Sequence, residues 1–345
     1  MRSMVLYSFS SPLMLSDLKT PRIASHEVLV KVKACGICHT DLKIQNGLVP
    51  TVKLPRVLGH EIAGEVIKIG EKVANINRGD LVVVYPYVTC GVCHFCRNSM
   101  ENYCTSLFLL GRLGFELNGG LSEFVKCPSD NVFKFSSDVP FEKAAVIPDA
   151  VAVPFHAIKR RGRVTVGEDV AVIGLGGIGV HAIQIAGVCG ANVYVITSSP
   201  QKLDIAKQFH VRDIICTTKT NMVEEVSKAT GGKGFDVVLD TVGTRTTINQ
   251  SLKILKSGGR LIIIGYEYGE NFELPVQQVV YNGIEIIGSR GCTKQDIVET
   301  IRLVEAGKLK PTVCKIFDLE EVNVAMECLK KEKPAGRIVV RVTRN

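Results

Sequence analysis

The stretch from Asp169 to Thr197 constrains this chain more than any other. It opens with the apolar run DVAVIGL, passes through Gly174, Gly176 and Gly179 in G-x-G-x-x-G spacing, runs on as a helical pattern from Ile178 to Cys189, and closes with the β-branched run NVYVIT. In that setting the glycines serve three mechanical ends, namely a tight turn, close approach of backbone to a pyrophosphate, and close packing of helix on strand. The helix N-terminus turns unpaired N–H groups and a positive dipole end toward the phosphates. A glycine pattern alone carries little weight. Strand, glycines, helix and second strand in this order make the stretch a dinucleotide-binding half.

The alternation continues after Thr197, with QKLDIAKQF (helix), RDIIC (strand), MVEEVSKAT (helix), FDVVLDTVG (strand), TTINQSLKIL (helix) and the strands RLIIIG and IEIIG. This is the pattern of a doubly wound parallel sheet, beginning near Ala150. Upstream, EVLVKVKA (Glu27 to Ala34), EIAGEVIKIG and NINRGDLVVV read as an antiparallel, β-rich domain. A chain of 345 residues is long enough for two cores. The helix DIVETIRLVEAG follows the parallel unit, and the last strand, RIVVRV, is expected to rejoin the first domain.

Composition narrows the function classes. The net charge of +8 is spread over scattered Lys and Arg, which gives nucleic-acid binding no support but favours a polyanionic cofactor. No signal-peptide cleavage site follows MRSMVLYSFSSPLML and no apolar run reaches membrane-spanning length, so the expectation is a cytoplasmic protein with no membrane partner. In such a chain twelve cysteines point to metal ligation rather than disulfides. Cys90, Cys93, Cys96 and Cys104 form C-x-x-C-x-x-C with a fourth Cys after a seven-residue gap. Short loops at this spacing aim four thiolates at one tetrahedral zinc. With every position filled by protein, such a site is structural.

Taken together, CGICHTD, GHE, CGVCHFC with its fourth Cys, GLGGIG and DVVLDTVG resemble the zinc-containing medium-chain dehydrogenase family, of the alcohol dehydrogenase type, over nearly the whole chain. The resemblance implies a β-rich GroES-like catalytic domain from residues 1–150 and 291–345, and a Rossmann domain from 151–290. It also implies a second, catalytic zinc. Such a zinc needs about three protein ligands and one open position. Cys38 and His60 match the family's first two ligands. Asp149 stands where the third is usually Cys; as a residue following Pro148 it also suits a plain turn.

By the same resemblance, Asp41 should hold the His60 imidazole. Glu61 lies beside the metal and can ligate it transiently. Thr40 is the hydroxyl that bonds the substrate oxygen and passes its proton, while Lys43 replaces a relay histidine of many relatives. His39 falls near the cofactor pyrophosphate. Gly174, Gly176, Gly177, Ile178, Gly179, Val153, Thr241 and Val242 belong to the cofactor site, Ile178 behind the nicotinamide. Tyr87, Leu110 and Phe155 are candidate pocket walls, with core packing as the alternative.

NAD sites usually carry Asp or Glu at the end of the second strand. Here Thr197, Ser198 and Ser199 replace it, with Lys202 close behind, a set that suits a 2′-phosphate and hence NADP. A relaxed NAD site is the alternative. The expected activity is a zinc-dependent alcohol dehydrogenase or carbonyl reductase with two zincs per subunit and a small-molecule substrate. The alternatives are a sugar or polyol dehydrogenase, a zinc-independent enoyl or quinone reductase, and a non-catalytic nucleotide-binding or redox-sensing protein. The run Tyr281 to Arg290 matches the family's edge strand and implies a homodimer or homotetramer.

Overall fold

The computed structural model describes residues 1–218 and 221–343. Its first eight strands are β1 (Arg2–Leu6), β2 (Met14–Asp17), β3 (Glu27–Ile37), β4 (Arg56–Val57), β5 (Glu61–Ile69), β6 (Leu81–Val84), β7 (Phe124–Pro128) and β8 (Val132–Lys134). Six follow: β9 (Asp169–Ile173), β10 (Asn192–Thr197), β11 (Asp213–Cys216), β12 (Phe235–Asp240), β13 (Leu255–Ile263) and β14 (Glu285–Gly288). The last two are β15 (Val313–Asp318) and β16 (Arg337–Arg341). Two compact units result. One holds Met1–Ala152, Cys292–Lys333 and the chain from Arg337 onward; the other holds Val153–Gly291 with Pro334–Gly336.

The first unit is built on a seven-stranded sheet in the order β15-β16-β3-β5-β6-β8, with β7 also paired to β3. A small sheet, β2-β1-β4, accompanies it. In β3 the alternation of EVLVKVKA puts Val28, Val30 and Val32 into the core at 0% exposure. The opposite face of the sheet, with Ala34, Ala63, Val83 and Val339, packs on Ala144, Ala145, Val146 and Ile147. Small residues on both sides bring that helical segment close to the strands. Register then does the rest: Gly36 faces Glu61 across β3 and β5, and Ile37 faces Ile338 across β3 and β16. Cys38, Glu61 and Arg337 therefore arrive at one end of the sheet.

This unit is not wholly antiparallel, as the sequence suggested. β15 and β16 run parallel, joined by the helix Val322–Glu332. A parallel neighbour requires a crossover of this kind, and the amphipathic VNVAMECLKKE supplies it, with Val322, Ala325, Met326 and Leu329 turned inward.

The second unit is a six-stranded, wholly parallel sheet in the order β11-β10-β9-β12-β13-β14. The chain steps outward in one direction from β9 to β11 and in the other from β12 to β14, so the order reverses between β9 and β12. Ligands of such sheets bind at the carboxyl ends of the strands at this switch point. Three expectations need correction. Helical structure is already present at Phe141–Ala145 and runs on from Ile147, before Ala150, and the boundary between the two units falls after Ala152. QKLDIAKQF is only a 3₁₀ turn, Pro200–Lys202, and one α-turn, Leu203–Ala206. Tyr281 belongs to the helix Val276–Asn282, which the left-handed Gly283 (φ 59°) terminates, so the edge strand is confined to Glu285–Gly288.

Candidate active site

At the sheet end described above, Cys38, His60, Glu61 and Asp149 each offer one ligand atom, all within 4.8 Å of one another. Cys38 caps the helix His39–Gln45, and its sulfur accepts the Thr40 N–H at 3.3 Å. Cys38 Sγ lies 3.2 Å from His60 Nε2. Asp41 ties the two segments together: its Oδ2 accepts the Cys38 N–H at 2.9 Å, and its Oδ1 accepts the Gly59 N–H at 3.3 Å and lies 3.5 Å from His60 Nδ1. With Nδ1 turned to a carboxylate, Nε2 is the nitrogen left for a metal. Asp149 sits in a π-helical turn, Ile147–Val151, a wider turn often found at functional sites. It is therefore part of a helix rather than a plain turn.

One residue of this cluster escaped the sequence analysis. Arg337, only 4% exposed in its side chain, reaches Asp149 Oδ2 at 2.6 Å and Glu61 Oε1 at 2.8 Å through the same Nη2. Glu61 Oε2 is buried with no hydrogen-bond partner among the described residues. It leans on Gly36, where a Cβ would stand 2.1 Å from it and 2.9 Å from the Glu61 Cβ, so a larger residue there would displace the Glu61 side chain. Burial raises the Glu61 pKa well above the ordinary value against the pull of Arg337. At Asp149 burial is outweighed by Arg337, and the pKa falls. For His60, burial disfavours the cation, but the Cys38 thiolate and Asp41 outweigh it and raise the pKa. Such a set, a soft sulfur, an imidazole and carboxylates converging in a buried space with an uncommitted oxygen, fits a zinc ion.

The four cysteines meet as their spacing implies, with Cys90 Sγ 3.9 Å from Cys96 Sγ and 3.6 Å from Cys104 Sγ. Sulfurs bound to one zinc at about 2.3 Å stand about 3.8 Å apart at the tetrahedral angle, so the lobe is already the right size. N–H groups of Cys96 and Thr105 draw the Cys93 thiol down to about 5. Buried Glu101 anchors the lobe by accepting the Lys294 N–H, at the start of the helix Lys294–Glu305.

In the second unit the expected cofactor residues other than His39 and Val153 collect at or beyond the carboxyl ends of β9, β10 and β12. Gly174 turns at φ 92°. A Cβ on Gly179 would stand 1.9 Å from the Gly174 carbonyl oxygen, whereas one on Gly176 would meet nothing within 4 Å. The first pair is needed for packing; the side of Gly176 is open. Ile178 caps the helix Gly179–Val188, and His181 Nδ1 lies 2.7 Å from the Gly177 carbonyl. Thr241 Oγ1 donates to the Ile173 carbonyl at 2.8 Å, and Val242 is 37% exposed beside it. At the end of β10, Thr197 Oγ1 accepts the Ser199 N–H, while Thr218, in the neighbouring strand's loop, donates to the Ser198 carbonyl. Lys202 lies in the short 3₁₀ turn beyond. His39 is exposed and Thr40 half-buried in the first unit, while Val153 is 7% exposed in the second. Of the suggested wall residues, Phe155 is buried at 4%, Tyr87 packs edge-on against Tyr85, and Leu110 is 37% exposed.

Residues 24–137 match the family described as alcohol dehydrogenase GroES-like domain, and residues 177–306 match zinc-binding dehydrogenase. The chain is similar to an acryloyl-coenzyme A reductase of Metallosphaera sedula, 33% identical over 99% of each chain. It is also similar to an alcohol dehydrogenase of Geobacillus stearothermophilus, 32% identical over 99% of this chain and 100% of that one. Among solved structures, an NAD-dependent alcohol dehydrogenase matches 99% of this chain and 100% of its own with a TM-score of 0.93 at 32% identity.

Proposed function

The chain belongs to the zinc-containing medium-chain dehydrogenase family, and from that membership we propose an alcohol dehydrogenase or carbonyl reductase that prefers NADP. The observation that carries the reading is the convergence of Cys38, His60 and Asp149 with Glu61 and Arg337. Cys38, His60 and Asp149 hold the catalytic zinc, and the four-cysteine lobe holds a structural one. When bound, the metal supplies Lewis acidity to the substrate oxygen and the dinucleotide supplies or accepts the hydride.

The protein's own share is placement. Asp41 fixes the tautomer of His60 through Nδ1. Arg337 keeps Asp149 ionised and holds Glu61 in reserve beside it. Thr40, whose N–H rests on the Cys38 sulfur, presents its hydroxyl to exchange a proton with the substrate. The glycine turn and the helix Gly179–Val188 receive the pyrophosphate. Thr197, Ser198, Ser199 and Lys202 favour a 2′-phosphate, because no carboxylate ends β10. The NAD-dependent structural relative sets the rival cofactor, and the reductase of Metallosphaera sedula sets a rival substrate, an acryloyl thioester. The retained metal ligands favour the alcohol–carbonyl reading over the second.

Asp149→Ala tests the centre. The variant is expected to hold one zinc per subunit instead of two and to lose turnover in both directions. Two zincs with near-normal turnover would transfer the third ligand position to Glu61. Comparing kcat/KM for NADP and NAD on alcohols, ketones and polyols in the same assay decides the cofactor, and a higher value with NAD overturns the preference.

A further inference from the structure

The imidazole of His60 is the inner end of a series of ring and cation contacts that runs out to the exposed Phe108. Its ring lies 5.1 Å from that of Phe115, tilted by 48°. The Arg112 guanidinium sits over the Phe115 ring, 4.0 Å from its centre, and 5.0 Å from the centre of the Phe108 ring. It is not free to turn. Arg112 Nε donates to Glu116 Oε2 at 3.0 Å, and Nη2 donates to Glu116 Oε1 at 2.6 Å and Thr51 Oγ1 at 3.1 Å. Thr51 in turn donates to Glu116 Oε1 at 2.6 Å. The backbone under these contacts is equally committed. Gly114 (φ 80°) lies so close to Gly59 that a Cβ there would stand 2.6 Å from the Gly59 carbonyl oxygen. The loop bearing Arg112 and Phe115 therefore rests directly on the segment that presents His60.

From this geometry we infer that Arg112 is a positioning residue for His60, acting through Phe115, so that the catalytic metal site is set partly from outside its ligand set. The inference rests on the reading of Cys38, His60 and Asp149 as that site. Asp41, 3.5 Å from Nδ1, selects the tautomer and the in-plane direction of the imidazole. A single contact of that length leaves the tilt of the ring free. Phe115 sets the tilt because its ring packs against the imidazole, 5.1 Å away and 48° from parallel. Phe115 is in turn held by a cation over its own face, an attraction that guanidinium makes well and that needs the planar fork to stay level. Glu116 and Thr51 keep the fork level. Neutralised by Glu116, Arg112 acts by shape and by its quadrupole contact rather than by adding net charge to the site.

The test uses the full-length protein with zinc or cobalt. Removing Arg112 alone would strand the Glu116 carboxylate, so the variant of choice is Arg112→Met with Glu116→Met, which deletes both charges together. Expected are a shifted visible spectrum of the cobalt protein and loss of the catalytic zinc to a colorimetric chelator about tenfold faster, the scale of indirect ligand support. Zinc in the four-cysteine lobe should leave at the wild-type rate. Phe115→Leu cuts the same link without touching a charge and should reproduce the effect; Phe108→Ala, one step farther out, should give a smaller one. Arg112→Lys keeps the cation but not the fork and should recover only part of the loss. Two zincs in the wild type with unchanged spectra and release rates in both Phe115→Leu and the double variant would overturn the role of Arg112. Only one zinc in the wild type would instead overturn the site itself.

Discussion

Arg337 shows how much one side chain can decide. A single guanidinium nitrogen faces Glu61 and Asp149 together, and the charge balance of both carboxyl groups turns on it. Deleting one partner of a buried ion pair typically costs about 3–5 kcal/mol, because the charge left behind has no solvent. Arg337→Met is therefore expected to lower the stability of the metal-free protein by about that amount in urea titrations. Arg337→Lys should restore part of it, since it returns a cation but not the fork. An Arg337→Met protein as stable as wild type would mean that neither Asp149 nor Glu61 needs a counter-charge from Arg337. At this scale the sequence was legible only where a motif is local. Cys38, His60 and Glu61 stand in short recognisable phrases, and the position of Asp149 followed from a resemblance. Arg337 is 188 residues from Asp149 and opens a run, RIVVRV, that reads as any buried strand. Nothing nearby in sequence marks it as a partner.

Two glycines of one turn separate packing from binding. A Cβ at position 179 collides with the backbone of Gly174, whereas at 176 it enters open space. Gly179→Ala should destabilise the second unit by about 1–3 kcal/mol, the usual penalty of an overpacked site. Gly176→Ala should melt within about 0.5 kcal/mol of wild type. It should nevertheless bind dinucleotide about tenfold more weakly, its methyl group occupying the phosphate's place. Equal affinity in the Gly176 variant, read by titration calorimetry, would remove the phosphate from that spot. At the opposite end of the sheet, Lys256 lies 2.9 Å from both Asp169 and Asp236, which begin adjacent parallel strands. Burial opposes ionisation of Asp169, but Lys256 and Asn192 outweigh it and hold its pKa below the usual value. A depressed carboxylate stabilises the fold above its ordinary pKa, about 4, and the gain is lost as the pH falls through the depressed value. Lys256→Met should thus cost about 1 kcal/mol at pH 7 and progressively less on acidification. A pH-independent difference between the two urea midpoints would disprove the linkage. Elements with strong periodicity, such as β10 and MVEEVSKAT, were legible to the residue, while β3, expected to end at Ala34, runs on to Ile37, an extension hidden because the small residues Cys35 and Gly36 carry no strand signal. β15 was not, because VCKIFD is half-exposed throughout and carries no alternation to report a parallel partner.

For the molecule as a whole, the sheet of the second unit ends on β14, whose outer edge has no neighbour among the described strands. Beside it the helix Val276–Asn282 leaves Val276, Val280 and Tyr281 62%, 70% and 82% exposed. Edges of this kind are normally covered, and a two-fold axis through β14 would pair the strand with its own copy. The protein is expected to sediment as a dimer or larger at micromolar concentration, and Val280→Lys with Tyr281→Lys should shift it toward monomer. A wild-type monomer would rule the pairing out. The placement of β16 carries a different consequence, one for biosynthesis. The second unit uses a nearly continuous stretch, Val153–Gly291, and can close on itself while the ribosome is still translating. The first unit cannot. β16 lies between β3 and β15 in the finished sheet and delivers Arg337 to Glu61 and Asp149, so Cys38, His60 and Asp149 wait for it until nearly two hundred residues after Asp149 have been made. On the proposed assignment, zinc capture at this centre would thereby be tied to the end of synthesis, and a nascent chain stalled before Arg337 should fold its second unit while the Cys38 thiol stays open to alkylation.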